Sequence, residues 1–133
     1  MTPAKYIEKS ERASQSARLL LEAGDIDGAC NRAYYSMHDA AQAALLALGH
    51  ADYNATKTHR GLIAAFGLHV IQTNKLPREL GRALNEVEQV RLLADYTGDA
   101  IKPEQAAWAV EQAVVFVAAV SALLKNSDKL PAE

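Results

Sequence analysis

The stretch Ile26-Asp27-Gly28-Ala29-Cys30-Asn31-Arg32-Ala33-Tyr34-Tyr35-Ser36-Met37-His38-Asp39-Ala40-Ala41-Gln42-Ala43-Ala44-Leu45-Leu46-Ala47-Leu48 decides the class of fold. Ile26, Ala29, Ala33, Met37, Ala40, Ala44, Leu45 and Leu48 form one stripe that holds the helical period for about six turns. A half-buried strand would alternate at every second residue, and this stretch does not. Asp25 or Asp27 can cap its start, and Gly49 ends it. Spacings of three, four and seven set Asn31, Arg32, Tyr35, His38, Asp39 and Gln42 together on the side away from the alanines.

The same period recurs on both sides. Upstream, Pro3 suits a first helical turn and Gly24 a C-terminal cap, with Ile7, Ala13, Ala17, Leu20 and Leu21 as the apolar side. Downstream, a polar loop from about His50 to Lys57 leads to a third helix. Thr56 or Thr58 can cap it; Leu62, Ile63, Phe66 and Val70 lie within it, and it ends near Asn74. Pro77 opens a fourth helix with Leu80, Ala83, Leu84, Val87 and Val90 inward, and Thr97-Gly98-Asp99 breaks it. Pro103 starts a fifth, whose stripe is Ala106, Ala109, Val110, Ala113, Phe116, Val117, Val120 and Leu124. Five amphipathic helices with short connections predict an all-α, up-and-down bundle. The expected organisation is one domain over residues 1–125 and a polar tail over 126–133.

Composition agrees with that reading and removes several function classes. A chain of 133 residues supports one core. Half the residues are apolar, but only two are Phe and one is Trp, so Ala, Leu and Val must let helices approach closely. The net charge of -2 gives no global basic field, although a local basic patch remains open. The lone Cys30 offers no intrachain disulfide and reads as a small core residue. Met1-Thr2-Pro3-Ala4-Lys5 leads into polar residues, and no run approaches the roughly 18 consecutive apolar residues of a membrane span. A cytoplasmic protein without membrane association is expected. Walker, GxGxxG, HExxH and GxSxG motifs are missing from the sequence, so no cofactor or metal is expected. His38 and Asp39 are the one imidazole–carboxylate neighbour pair, and adjacent helical positions do not face each other.

Three constellations carry chemical potential. The first is the polar side of the second helix, where Tyr34 and Tyr35 favour an interface over a plain solvated face. The second is Lys57-Thr58-His59-Arg60 at the start of the third helix. Basic residues there oppose the helix dipole unless an anion sits among them, either a phosphate or a nearby carboxylate such as Asp52. The third is Arg91-Leu92-Leu93-Ala94-Asp95-Tyr96. Arg91 continues the inward series of Leu80, Leu84 and Val87, so it needs a partner or a cleft. Asp95, four residues on, can be that partner, and a bound phosphate is the alternative.

Taken in order, Asn31-Arg32-Ala33-Tyr34-Tyr35-Ser36-Met37-His38, Lys57-Thr58-His59-Arg60-Gly61-Leu62-Ile63, Leu76-Pro77-Arg78-Glu79-Leu80 and Arg91-x-x-Ala94-Asp95-Tyr96 resemble the small bacterial and archaeal branch of the HEPN family. The resemblance covers roughly residues 4 to 125. It implies four main helices plus one shorter helix, and a homodimer. Many relatives are metal-independent ribonucleases, often toxins paired with a minimal nucleotidyltransferase antitoxin. Their signature is R-x4-6-H, with arginine holding phosphate and histidine moving protons. Here Tyr96 stands where the histidine would, and a tyrosine, with a pKa of about 10, is a poor base at neutral pH. The reading implied is a dimeric nucleotide- or nucleic-acid-binding protein with Arg32, Lys57, His59 and Arg91 around phosphate. Tyr35, His38, Asp39 and Asp95 then form an interface or polar face. One alternative is a ribonuclease toxin using Arg91 with Tyr96 or His59. The other is a non-catalytic partner of a nucleotidyltransferase, for which Tyr96 is the candidate site of modification.

Overall fold

A computed structural model describes residues 1–50, 58–97 and 100–127. Helix α1 spans Pro3–Glu22, α2 Ile26–Ala47, α3 His59–Phe66, α4 Arg78–Leu92 and α5 Pro103–Ser127. Two π-helical turns, Gly67–Ile71 and Leu93–Thr97, extend α3 and α4. The described residues contain no strand, so the all-α expectation, with α3 as the shorter helix, is met.

Asp25, Thr58, Gly24 and Gly49 begin or end the helices as expected, and Thr2, which the sequence pattern did not single out, caps α1. Thr2, Asp25 and Thr58 each accept a hydrogen bond from the backbone N–H three residues on, satisfying donors that the first turns of α1, α2 and α3 leave free. Gly24 and Gly49 follow α1 and α2 at φ +87° and +83°, where a side chain would be strained. Pro77 sits one position earlier than a first-turn residue, as the extended residue that α4 follows. The Gln72 N–H reaches back five residues to the Gly67 carbonyl at 2.9 Å, which widens the chain after α3 into a π turn. Helix α5 continues through Asn126 and Ser127, past the expected end, and residues 128–133 lie outside the described residues.

Helix α2 is the centre of the bundle, in contact with every other helix. Its expected stripe is buried from Ala29 to Leu45, with Ile26 and Leu48 only partly covered, but burial extends around the helix to Cys30, Tyr34, Ser36, Ala41 and Ala43. Small residues make this possible. Ala13 and Ala17 of α1 lie against the bundle, and the hydroxyl of Ser36 donates to the Ser10 carbonyl at 2.8 Å, tying α2 to α1 through a buried polar contact. The larger side chains, Leu45, Leu62, Phe66, Leu84, Val87, Phe116 and Val120, fill the space between α2, α3, α4 and α5. Phe66 and Phe116 meet at 5.2 Å between ring centres.

Residues Pro103–Asn126 of α5, of mean hydropathy 1.9, are long and apolar enough to cross a membrane by length and composition alone. In this fold, Ala106, Ala109, Ala113, Phe116 and Val120 are buried, with α5 packed on α2 and α1. A smaller cluster of Cys30, Ile101 and Ala106 closes the bundle where the chain passes from α4 to α5.

Candidate functional site

The polar side of α2 is not a solvated face. Asn31, Arg32, Tyr35, His38 and Gln42 are half-buried, and Asp39 is buried. The residues over it come from the start of α3 and the end of α4. Between them lies a compact group of Tyr34, Tyr35, His38, His59, Glu88 and Arg91.

Tyr34 is its hinge. The ring is fully buried, and its hydroxyl lies 2.8 Å from His59 Nδ1 and 3.0 Å from Glu88 Oε2. Burial, and then the charge and hydrogen bond of the Glu88 carboxylate, push the phenol far above its ordinary pKa, so the proton stays on oxygen. That proton goes to Glu88, because a carboxylate can only accept. The Tyr34 oxygen therefore accepts from His59, which assigns the His59 proton to Nδ1 and leaves Nε2 as the free lone pair. Burial holds the His59 pKa below its usual value; the nearby His38 and Arg91 add to this, and Glu88 opposes it. His59 is accordingly a neutral imidazole of fixed tautomer.

Arg91 lies under the two tyrosines with 4 % of its surface exposed. Its guanidinium carbon is 4.7 Å from the Tyr34 ring centre and 5.6 Å from that of Tyr35. Nη1 donates to Asp95 Oδ2 at 2.9 Å, so the intrahelical ion pair anticipated from the spacing forms. Arg32 approaches Tyr35 at 5.4 Å, and its Nε and Nη2 donate to Asn31 Oδ1. The His38 and His59 rings are 5.1 Å apart. His38 Nδ1 lies 3.8 Å from Asp39 Oδ1, so these neighbours do approach one another, and Lys9 joins the same oxygen at 3.9 Å.

Among the described residues, two buried side-chain polar atoms have no hydrogen-bond partner, His38 Nδ1 and Arg91 Nε. Both belong to this group. An unsatisfied buried polar atom costs about 1–3 kcal/mol, and bound ligand or water is the usual explanation for keeping one.

The structure thus brings together Arg32, Tyr35, His38, Asp39, His59, Arg91 and Asp95 of the residues singled out from the sequence. It does not bring Tyr96. That side chain is 75 % exposed, and no hydrogen bond or ring contact joins it to the group among the described residues. Lys57 and Asp52 lie outside the described residues. The basic run at α3 divides, with Thr58 capping the helix, His59 turned to Tyr34, and Arg60 exposed. Sequence reasoning missed Tyr34 as the organising hydroxyl and Glu88 altogether. Glu88 carried a signal, since it follows Leu84 by four residues and precedes Arg91 by three, on the inward side of α4.

Comparison with known proteins agrees with this arrangement of helices. The HEPN domain model matches residues 4–126. A UPF0332 protein of Gloeobacter violaceus is 37% identical over 100 residues, covering 74% of this chain and 76% of that protein. A protein of Methanocaldococcus jannaschii named "Putative toxin MJ0605" is 32% identical over 120 residues, 90% of this chain and 87% of its own. A UPF0332 protein of Thermotoga maritima is 31% identical over 97 residues, 73% of this chain and 70% of its own. With nearly the whole chain matched by the domain model, the protein belongs to the HEPN domain family.

Proposed function

We propose that this protein binds RNA at the Tyr35–His59–Arg91 group, as a homodimer and in a toxin-like role. The observation that carries the reading is the pair of unsatisfied buried atoms, His38 Nδ1 and Arg91 Nε, in one cluster with Arg32, Tyr35 and His59. A phosphate supplies the acceptor that Arg91 Nε–H lacks, and a ribose hydroxyl supplies a donor to His38 Nδ1. Tyr35 offers a ring for base stacking, with Arg32 beside it. Membership of the HEPN family and the toxin name of a relative support the same reading. Fluorescence anisotropy with labelled single-stranded RNA in EDTA tests it. Binding that weakens in Arg32→Ala and Tyr35→Ala is expected. A folded wild-type protein that leaves RNA free at low salt would end the proposal.

A second reading, metal-independent RNA cleavage, is favoured by the tautomer of His59. In this reading Nε2 takes the proton of a ribose 2′-hydroxyl as its oxygen bonds to phosphorus. Arg91 balances the added negative charge, the P–O5′ bond breaks, and the leaving oxygen takes a proton from water. The products are a 2′,3′-cyclic phosphate and a 5′-hydroxyl. Cleavage in EDTA by wild type and its loss in His59→Asn are expected. Equal cleavage by both proteins would remove His59 from the chemistry.

A further inference from the structure

Helix α5 carries no charge from Ala113 to Leu124, a stretch in which Ser121 is the one polar side chain. The bundle covers Phe116, Val117 and Val120, yet Val114, Val115, Ala118 and Ala122 of the same stretch are exposed. Beside them on α1 stands Leu19, 65 % exposed. Helices α1 and α5 touch, and a groove of about 690 Å³ runs along their junction. Contiguous exposed apolar surface of this kind marks a contact surface rather than a plain solvated face.

The walls of the groove match step for step. Its lining residues on α1, counted forward from Glu11, and on α5, counted back from Lys125, fall at the same steps of 3, 4, 7, 8 and 11 positions. The helices run antiparallel, since Leu21 near the end of α1 and Ala106 near the start of α5 pack in one cluster. Glu11 is therefore level with Lys125, and Leu19, eight positions on, is level with Val117, eight positions back. Charges edge this apolar strip. Glu11, Glu22, Arg18 and Lys125 are exposed, and none of them makes an ion pair among the described residues.

That distribution is self-complementary. A two-fold axis parallel to the helices lays α1 of one copy over α5 of another and keeps every residue at its own level. Glu11 then meets the partner's Lys125, and Lys125 meets the partner's Glu11, so one ion pair forms twice. Leu19 comes down on the partner's groove beside Val117 and Ala118. An axis across the helices would instead set Glu11 toward the partner's Glu22, a like-charge contact. We propose that the α1–α5 groove is where a second copy of this chain docks, in the parallel two-fold arrangement. The inference rests on the homodimer of the reading above and assigns it a face. None of the residues concerned belongs to the Tyr35–His59–Arg91 group, so this interface and RNA binding are measured apart.

The test is sedimentation equilibrium over a concentration series. It compares wild type, Leu19→Gln, Glu11→Lys, Lys125→Glu and an equimolar mixture of the last two. All three positions are exposed, so urea midpoints should match wild type. Wild type should be a dimer. Each single variant should dissociate about tenfold more readily: Leu19→Gln loses an apolar anchor, and each charge variant turns both ion pairs into like-charge contacts. The mixture should recover wild-type association, because a chain positive at both positions then faces a chain negative at both. An ion pair within one chain cannot give that recovery. A mixture no tighter than its components overturns the arrangement. A wild-type dimer that all three variants leave intact overturns this face, and the homodimer then uses another. A monomeric wild type overturns both the face and the homodimer, including when it sediments with phospholipid vesicles, which would make lipid the occupant. RNA anisotropy on the same samples reads RNA binding separately.

Discussion

Replacing Tyr34 by Phe removes one oxygen atom from the interior and leaves the ring in place. The hydroxyl is the hydrogen-bond partner of Glu88 among the described residues, and it also accepts from His59. Glu88 is 5 % exposed, so water cannot readily take over from the tyrosine. A hydrogen bond to a charged group contributes about 1.5–3 kcal/mol, and one to a neutral imidazole about 1 kcal/mol. No cavity larger than a hydroxyl forms. The expected loss is therefore about 3 kcal/mol, which for a chain of this size lowers Tm by about 12 °C. Urea unfolding of wild type, Tyr34→Phe, Glu88→Gln and the double variant gives the coupling directly. Glu88→Gln in the Tyr34→Phe background should return part of the loss, because it removes the buried charge that has lost its donor. A second readout is the 15N spectrum of His59. Wild type should show Nδ1 protonated, and Tyr34→Phe should show mixed tautomers. A loss below about 1 kcal/mol with no coupling to Glu88 would refute the relay.

Three further outcomes are expected. Arg91→Lys keeps the charge but loses the planar face that lies over Tyr34 and Tyr35; stability should fall by about 1–2 kcal/mol in denaturant and RNA binding should weaken with it. Because the folded state lowers the His59 pKa, the unfolded chain takes up a proton that the native chain refuses. Stability should drop as pH falls below about 6.5 and level off below the native value, and His59→Asn should flatten that part of a stability–pH curve. Cys30 is fully buried and its thiol is pushed up to about 11, chiefly by burial and then by Asp27 and Asp95. Ellman's reagent should find no reactive thiol in the native protein at pH 8 and one per chain after denaturation.

Helices α1, α2 and α5 were legible because single periods, caps and prolines agree along them, as with Asp25 before α2 and Pro103 at the start of α5. The π turns after Phe66 and Leu92 were not, since one residue added to a helical turn leaves no mark on residue type. The site was half legible. Arg91 could be placed inward from its spacing, and its pairing with Asp95 followed. The partnership of His59 with Tyr34 spans 25 residues and that of Tyr34 with Glu88 spans 54. Only the packing of α3 and α4 onto α2 sets those distances. The polar side of α2 reads as an interface from its two tyrosines, but which helices cover it is not legible in α2 alone.

Because every other helix rests on α2, its central amides cannot open without dismantling the bundle, and they should exchange hydrogen only at the rate of global unfolding. Helix α3 is different. It has 8 residues, too few to persist alone, and it brings His59 to the relay. The site therefore joins the slowest-exchanging part of the molecule to one of the faster, and lifting α3 alone separates the imidazole from Tyr34 while Tyr34, Glu88 and Arg91 stay in place. The fraction of molecules with a complete site is set by the local opening equilibrium of those two turns, well before the stability of the whole domain comes into play.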